Sequence, residues 1–334
     1  MLKKKAIRKI FITTLTAFVL LVVYSIPSLY EEDAIKTNLE IEYITGIGTN
    51  DIYLLDQNGY LVKTKILLDS TDKQEQIKQL INNLIIGDNS KFPNGLTATI
   101  PSGTKLLEVF YDENYVTLNF NNNLLKDKDN LERIIESIVY SIIDLGDVNG
   151  VIIEINGETI DGCSKVLDKK IGINKKYHIK SRNNINKVVI YYMEEIDGNK
   201  YYVPVTKYVN DEDDKIEIIV DELTTSYIYE PNLMSFLNSN TELLNYKEQE
   251  NIMTLNFNNA IFDEDNKILE EVTYTLAYSI FDNYDVNQVL IQVDGKNIED
   301  VSLNDLNKWF LNWQILQFMI KYATKREGSM LIVI

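Results

Sequence analysis

One phrase of ten residues occurs twice in this chain. VTLNFNNNLL covers residues 116–125 and MTLNFNNAIF covers residues 253–262, with six of ten letters identical at an offset of 137 (253 minus 116). A longer block, 140–160, matches 278–298 at 11 of 21 positions without a gap, at an offset of 138 (278 minus 140). Two matching blocks in the same order at nearly constant offset indicate an internal duplication. The chain is therefore expected to fold as two copies of one unit.

Hydrophobic periodicity predicts the elements of that unit. In both copies, two apolar runs flank a Gly-containing turn, which is typical of a β-hairpin. Residues 71–87 and 130–146 carry apolar side chains at helical spacing, and Gly87 is a plausible stop for the first helix. Alternating apolar residues then predict two further strands, and the near-continuous apolar run at 148–157 predicts a central strand. The predicted order is ββαββαβ, a helix-on-sheet α+β domain of about 110 residues.

Within the duplicated phrase the pattern has a structural reading. Val116, Leu118 and Phe120 alternate with polar residues, so they are expected to face the helices. The asparagines that follow are expected to end the strand and cap the next segment. Repetition of the phrase is therefore expected mostly to preserve a core.

The segments around the two copies differ in composition. The first copy is assigned to residues 51–160 and the second to 188–298. The connector 161–187 holds eight Lys/Arg against two Asp, a net charge of +6 (8 minus 2), in a chain of net charge −17. This composition favours an exposed linker, although the connector could also dock onto an acidic domain or meet anionic lipid or wall polymer.

Residues 299–334 form an aromatic, apolar tail, whose segment from Trp309 to Ile320 is too short to span a membrane. It is interpreted either as a helix packed on the second domain or as an interfacial segment with Trp309 and Trp313 at the lipid headgroups. The sequence does not decide between these readings.

The amino terminus has the pattern of a membrane signal. Residues 1–9 carry five basic side chains, and residues 10–26 form an uncharged run of 17 residues, at the lower edge of the length that spans a bilayer. No clear small-residue cleavage site follows. The sequence predicts an uncleaved signal anchor with the basic flank in the cytoplasm, a stalk at 27–50 and the bulk of the chain outside a single-pass cell membrane. Cleavage is the alternative.

Composition excludes several function classes. The net charge of −17 would repel phosphate backbones, so nucleic acid is not an expected partner. The single cysteine, Cys163, excludes an intramolecular disulfide framework and a cysteine-based metal cluster. The only histidine, His178, lies in the connector with Cys163, outside both repeats, which is a poor setting for nucleophilic catalysis. A function as a wall hydrolase is therefore not favoured, and the sequence predicts no catalytic residue, metal or cofactor.

Acidic clusters at 211–214 and 263–265 raise the question of calcium. Neither cluster has the Gly at the sixth loop position or the closing Glu of a calcium loop. Both acidic clusters are therefore interpreted as charged turns.

The first copy resembles the GerM-type sporulation and spore germination domain. The resemblance rests on IYLLDQNGYLV, QLINNLI, GLTATIPSGTKLLEV, VTLNFNNNLL, VYSIIDLGDV and VIIEINGETI, and covers residues 51–160. The second copy looks like the same domain in divergent form, because Pro101, Gly103 and Lys105 are answered by Asn238, Asn240 and Glu242 (each position plus 137). Tandem copies behind a membrane signal resemble a spore-forming bacterial member of the family that is usually a lipoprotein. The lipid-bearing cysteine is missing here.

The resemblance implies an extracytoplasmic protein of spore formation and germination that helps to assemble an envelope complex, with envelope proteins as partners and no catalytic residues. The candidate interaction surface lies in the first copy: Pro101, Gly103, Thr104, Lys105, Asn119, Asn121 and Asn122. Pro101 and Gly103 could instead only shape their turn.

An alternative function is binding of peptidoglycan or a small germination-related ligand. It expects a concave aromatic pocket, and the second copy is rich in tyrosines that could line one: Tyr191, Tyr192, Tyr201, Tyr202, Tyr208, Tyr227 and Tyr229. Packing of these tyrosines across a sheet is the simpler explanation.

Overall fold

A computed structural model of the protein describes residues 48–87, 92–160, 166–181, 183–210, 213–225, 228–230 and 232–303. The predicted signal anchor 10–26 with its flank, residues 27–47 of the predicted stalk, Cys163 and the two tryptophans lie outside these ranges, whereas residues 48–50 of the predicted stalk belong to the first strand. Of the helices inside them, none has both the length and the apolar character required to cross a bilayer.

The first copy is an α+β unit with one hairpin, two helices and one four-stranded sheet. Its elements follow the chain as β1 (Gly48–Leu55), β2 (Leu61–Leu68), α1 (Lys73–Leu84), β3 (Leu106–Asp112), β4 (Tyr115–Phe120), α2 (Leu131–Ile143), β5 (Gly150–Ile155) and β6 (Glu158–Thr159). The hairpin is β1–β2, and the sheet has the order β3-β4-β5-β6 with β4 and β5 parallel. The prediction that the closing apolar strand lies inside the sheet is confirmed.

The second copy repeats this arrangement with longer hairpin strands. After β7 (Lys176–His178) in the connector come β8 (Asn186–Ile196), β9 (Asn199–Val209), α3 (Lys215–Thr225), β10 (Ile228–Glu230), β11 (Leu233–Met234), β12 (Leu243–Gln249), β13 (Ile252–Phe257), α4 (Glu270–Asn283), β14 (Gln288–Val293) and β15 (Lys296–Ser302). One sheet has the order β10-β11-β8-β9-β7 and the other has the order β12-β13-β14-β15.

The duplicated phrase forms an inner strand of the sheet in each copy and contributes three buried side chains to each core. Val116, Leu118 and Phe120 on β4 are completely buried, and the second copy buries Met253, Leu255 and Phe257 on β13. Helix α1 buries its predicted apolar stripe, and its first turn is capped by Asp72, whose side chain accepts a hydrogen bond from the Glu75 amide at 2.9 Å. The predicted core face of the phrase is confirmed in both copies.

Each copy ends one strand later than predicted. β6 and β15 fold back on β5 and β14 through Asn156-Gly157 and Asp294-Gly295, whose φ angles are 52° and 85° in the first turn and 49° and 79° in the second. Asn-Gly and Asp-Gly are the preferred residues of the tight hairpin turn that needs two positive φ angles, so the order is ββαββαββ in the first copy. Residues 299–302 of the predicted tail therefore belong to β15, and residues 304–334 lie outside the described part.

The basic connector packs against both copies between residues 167 and 176, whereas its residues 177–181 and 183–185 are exposed as predicted for a linker. Leu167 exchanges backbone hydrogen bonds of 2.8 Å with Val151 on β5, and β7 pairs in parallel with β9. Between these points Ile173 and Asn174 have no exposed surface. The net charge of the segment suggested solvent exposure, but apolar and amide side chains at its centre decide its position.

Asn174 joins the two copies through the connector. Its Oδ1 accepts a hydrogen bond from the Leu61 amide at 2.8 Å, and its Nδ2 donates to the Leu61 carbonyl at 2.9 Å and to the Pro204 carbonyl at 2.8 Å. Leu61 begins β2 of the first copy, and Pro204 lies on β9 of the second, which packs beside β2. One buried amide thus satisfies backbone groups on both sides of the junction.

We expect Asn174→Ala to lower the free energy of unfolding by about 2–4 kcal/mol, because three buried backbone groups lose their partner. Urea unfolding of the full chain measures the change. Asn183→Ala is the matched control, since Asn183 is an exposed asparagine of the same connector, and it should stay within about 0.5 kcal/mol of the parent chain. Equal effects of the two substitutions would contradict a joining role for Asn174.

Candidate interaction surface and the junction between the two copies

The turn at 101–105 is a closed loop that leads into β3. The Thr104 amide donates to the Pro101 carbonyl at 3.2 Å. Gly103 has φ 79°, a conformation that non-glycine residues rarely adopt, and a Cβ there would lie 3.3 Å from Asn123 Nδ2. Pro101 and Gly103 therefore shape the turn.

Asn121 fastens this turn to the end of β4. Its Oδ1 accepts hydrogen bonds from the amides of Lys105 at 3.0 Å and Asn123 at 3.3 Å, and its Nδ2 donates to the Gly103 carbonyl at 3.3 Å. The Asn123 side chain donates to the same carbonyl at 2.6 Å. Asn121 also caps the short 3₁₀ turn Asn122–Lys126, as the asparagine run predicts.

The second copy keeps the same joint with different turn residues. Asn258 accepts from the Glu242 amide at 3.2 Å and donates to the Asn240 carbonyl at 3.1 Å. In place of Pro101, Asn238 accepts from the Asn240 amide through its side chain at 2.9 Å, which holds the turn by a hydrogen bond instead of a ring. The duplicated asparagine thus has the same structural function in both copies.

Asn119 serves a different turn. Its Oδ1 accepts from the Gly157 amide at 2.9 Å, and the equivalent Asn256 accepts from Gly295 at 2.8 Å. Each asparagine fastens the tight turn that adds the last strand of its copy.

The structure brings Pro101, Gly103, Thr104, Lys105 and Asn121 together, with Asn122 following Asn121 and Asn119 directed to the neighbouring turn. Only Gly103, Lys105 and Asn122 are exposed, whereas Pro101, Asn119 and Asn121 are half-buried. Thr104 is buried and its Oγ1 has no hydrogen-bond partner, a feature shared by Thr241 at the equivalent position. The surface available to a partner is therefore smaller than the predicted set.

Where the copies meet, a tyrosine–aspartate pair occurs twice. Tyr53 donates through its hydroxyl to Asp144 at 2.8 Å, and Tyr191 donates to Asp282 at 2.7 Å, with both pairs separated by 138 positions (191 minus 53, and 282 minus 144). The amides of Tyr53 and Tyr191 each donate to a helix serine, Ser141 or Ser279, at 2.9 Å. Burial, followed by the nearby aspartate, raises the pKa of each tyrosine well above its usual range, so both remain neutral donors.

Lysines of the hairpin and of the connector neutralise Asp144. Lys169 forms an ion pair with it at 2.6 Å and lies 5.5 Å from the Tyr140 ring centre. Lys63 on β2 lies 3.4 Å from Asp144 and 2.9 Å from Asp51, and reaches across the junction to 6.0 Å from the Tyr278 ring centre. Burial alone would raise the pKa of Asp144, but Lys169 and Lys63 hold it well below its usual value.

The tyrosines proposed for a ligand pocket mostly pack inside the second copy. Tyr191, Tyr192, Tyr201 and Tyr202 are at most 3% exposed, and Tyr208 is half-buried and stacks on Tyr177 at 4.9 Å. The side chains of Tyr227 and Tyr229 lie outside the description. The expectation of an open aromatic pocket is wrong for the tyrosines that are described. Tyr191 and Tyr202 pack against Tyr278 of α4, and Tyr192 and Tyr201 are buried on the opposite face of the hairpin.

The described residues do form one cavity in the first copy, of about 540 Å³. It lies between the end of α1, residues 92–99 and the start of α2, and Phe92, Leu96, Asn130 and Arg133 contribute to its lining. Arg133 also donates to Glu136 at 2.9 Å. Sequence reasoning missed this cavity because its walls come from three segments without a shared motif.

The candidate residues for catalysis and for metal binding do not lie together in the structure. His178 is exposed on β7, and Asp263 accepts from the amides of Asp265 and Lys267, both at 2.9 Å, in a self-contained turn. Within the described ranges no group of three or more His, Cys, Asp or Glu side chains is placed to hold a metal ion.

We expect Asp144→Asn to cost about 2 kcal/mol of unfolding free energy at neutral pH, because Lys169 loses its anion and Lys63 keeps only Asp51. The depressed pKa means that Asp144 stabilises the fold above about pH 4 and loses this effect as the pH falls further. The difference between parent and variant should therefore shrink on acidification, as measured by urea unfolding at several pH values. Asp147→Asn, an exposed control close in sequence, should follow the parent. A difference independent of pH would contradict the ion-pair explanation.

Comparison with known proteins agrees with the duplication. The family model described as sporulation and spore germination matches residues 51–161 and again residues 189–299. The chain is 26% identical over 264 residues to the spore germination protein GerM of Bacillus subtilis, covering 74% of this chain and 72% of that protein. It is also similar to the solved tandem GerMN domains of the Bacillus subtilis sporulation protein GerM, with a TM-score of 0.70 and 26% identity over 77% of this chain and 96% of that one.

Because the family model matches both copies and together these matches cover most of the chain, the protein belongs to the sporulation and spore germination family.

Proposed function

We propose that the protein is a non-enzymatic, membrane-anchored module that helps to assemble an envelope complex during spore formation or germination. Its similarity to GerM supports the link to spores. The basic flank and uncharged run at residues 1–26 support attachment to the cell membrane, with the two copies outside.

The observation that carries the assembly function is the buried connector. Asn174 satisfies backbone groups of both copies, and Lys169 neutralises an aspartate at their junction. These contacts hold the two copies together at their junction. A body of this kind can set the spacing between partners that bind its two ends.

The two ends are not equivalent, which favours different partners or unequal roles for the copies. Both copies keep the asparagine joint, but the exposed turn carries Lys105 in the first copy and Glu242 in the second. This substitution reverses the charge at matching positions of a shared geometry. We therefore propose that the first-copy turn contacts an envelope protein that the second-copy turn would repel.

To test this, the full chain would be used as bait in sporulating cells and the recovered envelope proteins quantified. A fragment that ends at residue 160 is unsuitable, because it would expose Tyr53, Lys63 and Asp144 from the junction. Lys105→Glu converts the turn to the charge of the second copy and should reduce recovery of the partner about tenfold, as expected when a favourable contact of about 1.4 kcal/mol is lost.

Lys128→Glu is the matched control, since it makes the same charge change at an exposed lysine of the first copy, and it should leave recovery unchanged. Equal recovery with Lys105→Glu and with the parent chain would exclude this turn as the contact.

A second candidate function is binding of peptidoglycan or a small ligand, and the cavity of about 540 Å³ in the first copy favours it. Saturable retention of purified wall material, reduced by Arg133→Met, would support this candidate. If both chains bind equally, the cavity is not the site. Release of soluble wall fragments from purified sacculi would instead support the hypothesis that the protein is a wall hydrolase.

A further inference from the structure

Two acidic side chains from equivalent positions of the copies meet across the junction. Asp56 lies in the turn after β1, and Glu194 lies on β8, at an offset of 138 (194 minus 56). The two residues are only 6% and 2% exposed. Close packing surrounds them, because a Cβ on Gly95 of the first copy would come within 2.5 Å of Ile196 Cγ2 of the second.

Asp56 has donors for both of its oxygens. Oδ1 accepts from the amides of Asn58 at 2.9 Å and Tyr60 at 2.6 Å, and Oδ2 accepts from Asn58 Nδ2 at 3.1 Å. Asp56 therefore closes the turn as a hydrogen-bond acceptor.

Glu194 lacks a donor for one oxygen. Its Oε1 accepts from Asn58 Nδ2 at 3.1 Å, which bridges it to Asp56, whereas its buried Oε2 has no donor. Because the single amide of Asn58 donates to one oxygen of each carboxyl group, at 3.1 Å in both cases, the two side chains lie next to each other. A proton between the two carboxyl groups gives Glu194 the bond that it otherwise lacks.

The charged and titratable groups of the surrounding elements do not remove this need. On β9, Tyr201 faces Glu194 in the strand register, and the adjacent Lys200 forms an ion pair with Glu271. Asp197, in the β8–β9 turn, accepts from Asn94 at 2.9 Å. From the connector, Lys176 lies 5.3 Å from the ring centre of Tyr60. Burial, followed by the hydrogen bond and the charge of Asp56, raises the pKa of Glu194 to about 8.

We propose that Asp56 and Glu194 share one proton and form a pH-sensitive latch between the two copies. With the proton in place, the Glu194 carboxyl donates to Asp56 and joins the copies. When the proton leaves to water, two carboxylates face each other at a buried contact and repel. The latch is independent of the identity of any partner.

The direction of the pH effect follows from linkage. The closed junction binds the proton more tightly than an open one, in which an exposed Glu194 titrates near 4.5. The ratio of open to closed protein should therefore rise with pH by up to about tenfold per unit between pH 4.5 and pH 8, and should level off above that.

The test uses the full chain in detergent with Cys163→Ser and spin labels on cysteines placed at Lys78 and Lys267, two exposed positions in different copies. Pulsed distance measurements are made at pH values from 5 to 9. The parent chain should gain a longer distance as the pH rises. Glu194→Gln retains a neutral hydrogen-bonding side chain and should keep the short distance at every pH.

Glu195→Gln is the matched control, because Glu195 is the exposed neighbour on the same strand, and it should behave as the parent does. A parent distance that does not change with pH, or an equal change in Glu194→Gln, would overturn the latch. A pH response that disappears when a chelator removes divalent cations would also overturn it, since the pair would then be a cation site.

A second measurement does not depend on any Glu194 variant. Carboxyl carbon-13 resonances of the parent chain should show one glutamate that titrates near pH 8. If every glutamate titrates near the ordinary value of 4.5, the proton is not shared.

Discussion

The structure depends on backbone groups at the junction finding partners away from water. A hairpin edge that is buried against another domain leaves amides and carbonyls that each cost about 1–3 kcal/mol if unpaired. Asn174 resolves this at Leu61 and Pro204 with one side chain that both donates and accepts. The connector therefore cannot act as a loose tether, since its central residue completes the hydrogen bonding of both hairpins.

Buried charges near the junction also have partners within the protein. The positive connector of a chain with net charge −17 looks like a surface for an external anion, yet Lys169 is directed inward to Asp144, and Lys175 contacts Glu136, which is only 1% exposed. Buried carboxylates need a compensating cation close by, and the connector supplies it from between the domains. Lys169 and Lys175 therefore form ion pairs within the protein and are less available to an external anion. This makes a lipid or polymer ligand at the connector less favoured.

The α+β repeats and their core faces could be predicted, because Val116, Leu118 and Phe120 alternate over a range where period alone determines the buried side. The turns at Gly157 and Gly295 are visible in the sequence as Asn-Gly and Asp-Gly, but the strands that follow them are mostly polar and exposed and have no apolar run that would predict them. The packing of the connector could not be predicted, since Asn174 is one of many asparagines and its partners lie 113 and 30 positions away. The roles of Asn119 and Asn121 in the predicted surface could not be predicted either. Their hydrogen bonds join segments that are distant in sequence and that come together only in the folded chain.

Duplication explains why the junction is chemically unusual. When two copies of one unit pack with equivalent hairpins together, residues at equivalent positions can meet, as Asp56 and Glu194 do through Asn58. Elsewhere at the junction the equivalent residues differ: Lys63, whose equivalent is Tyr201 (63 plus 138), lies 6.0 Å from the ring centre of Tyr278 of the other copy. At Asp56 and Glu194 both copies carry an acid, so two carboxyl groups lie together in a buried position. A shared proton is the remaining way to satisfy that pair, which makes the junction sensitive to pH as a direct result of its origin.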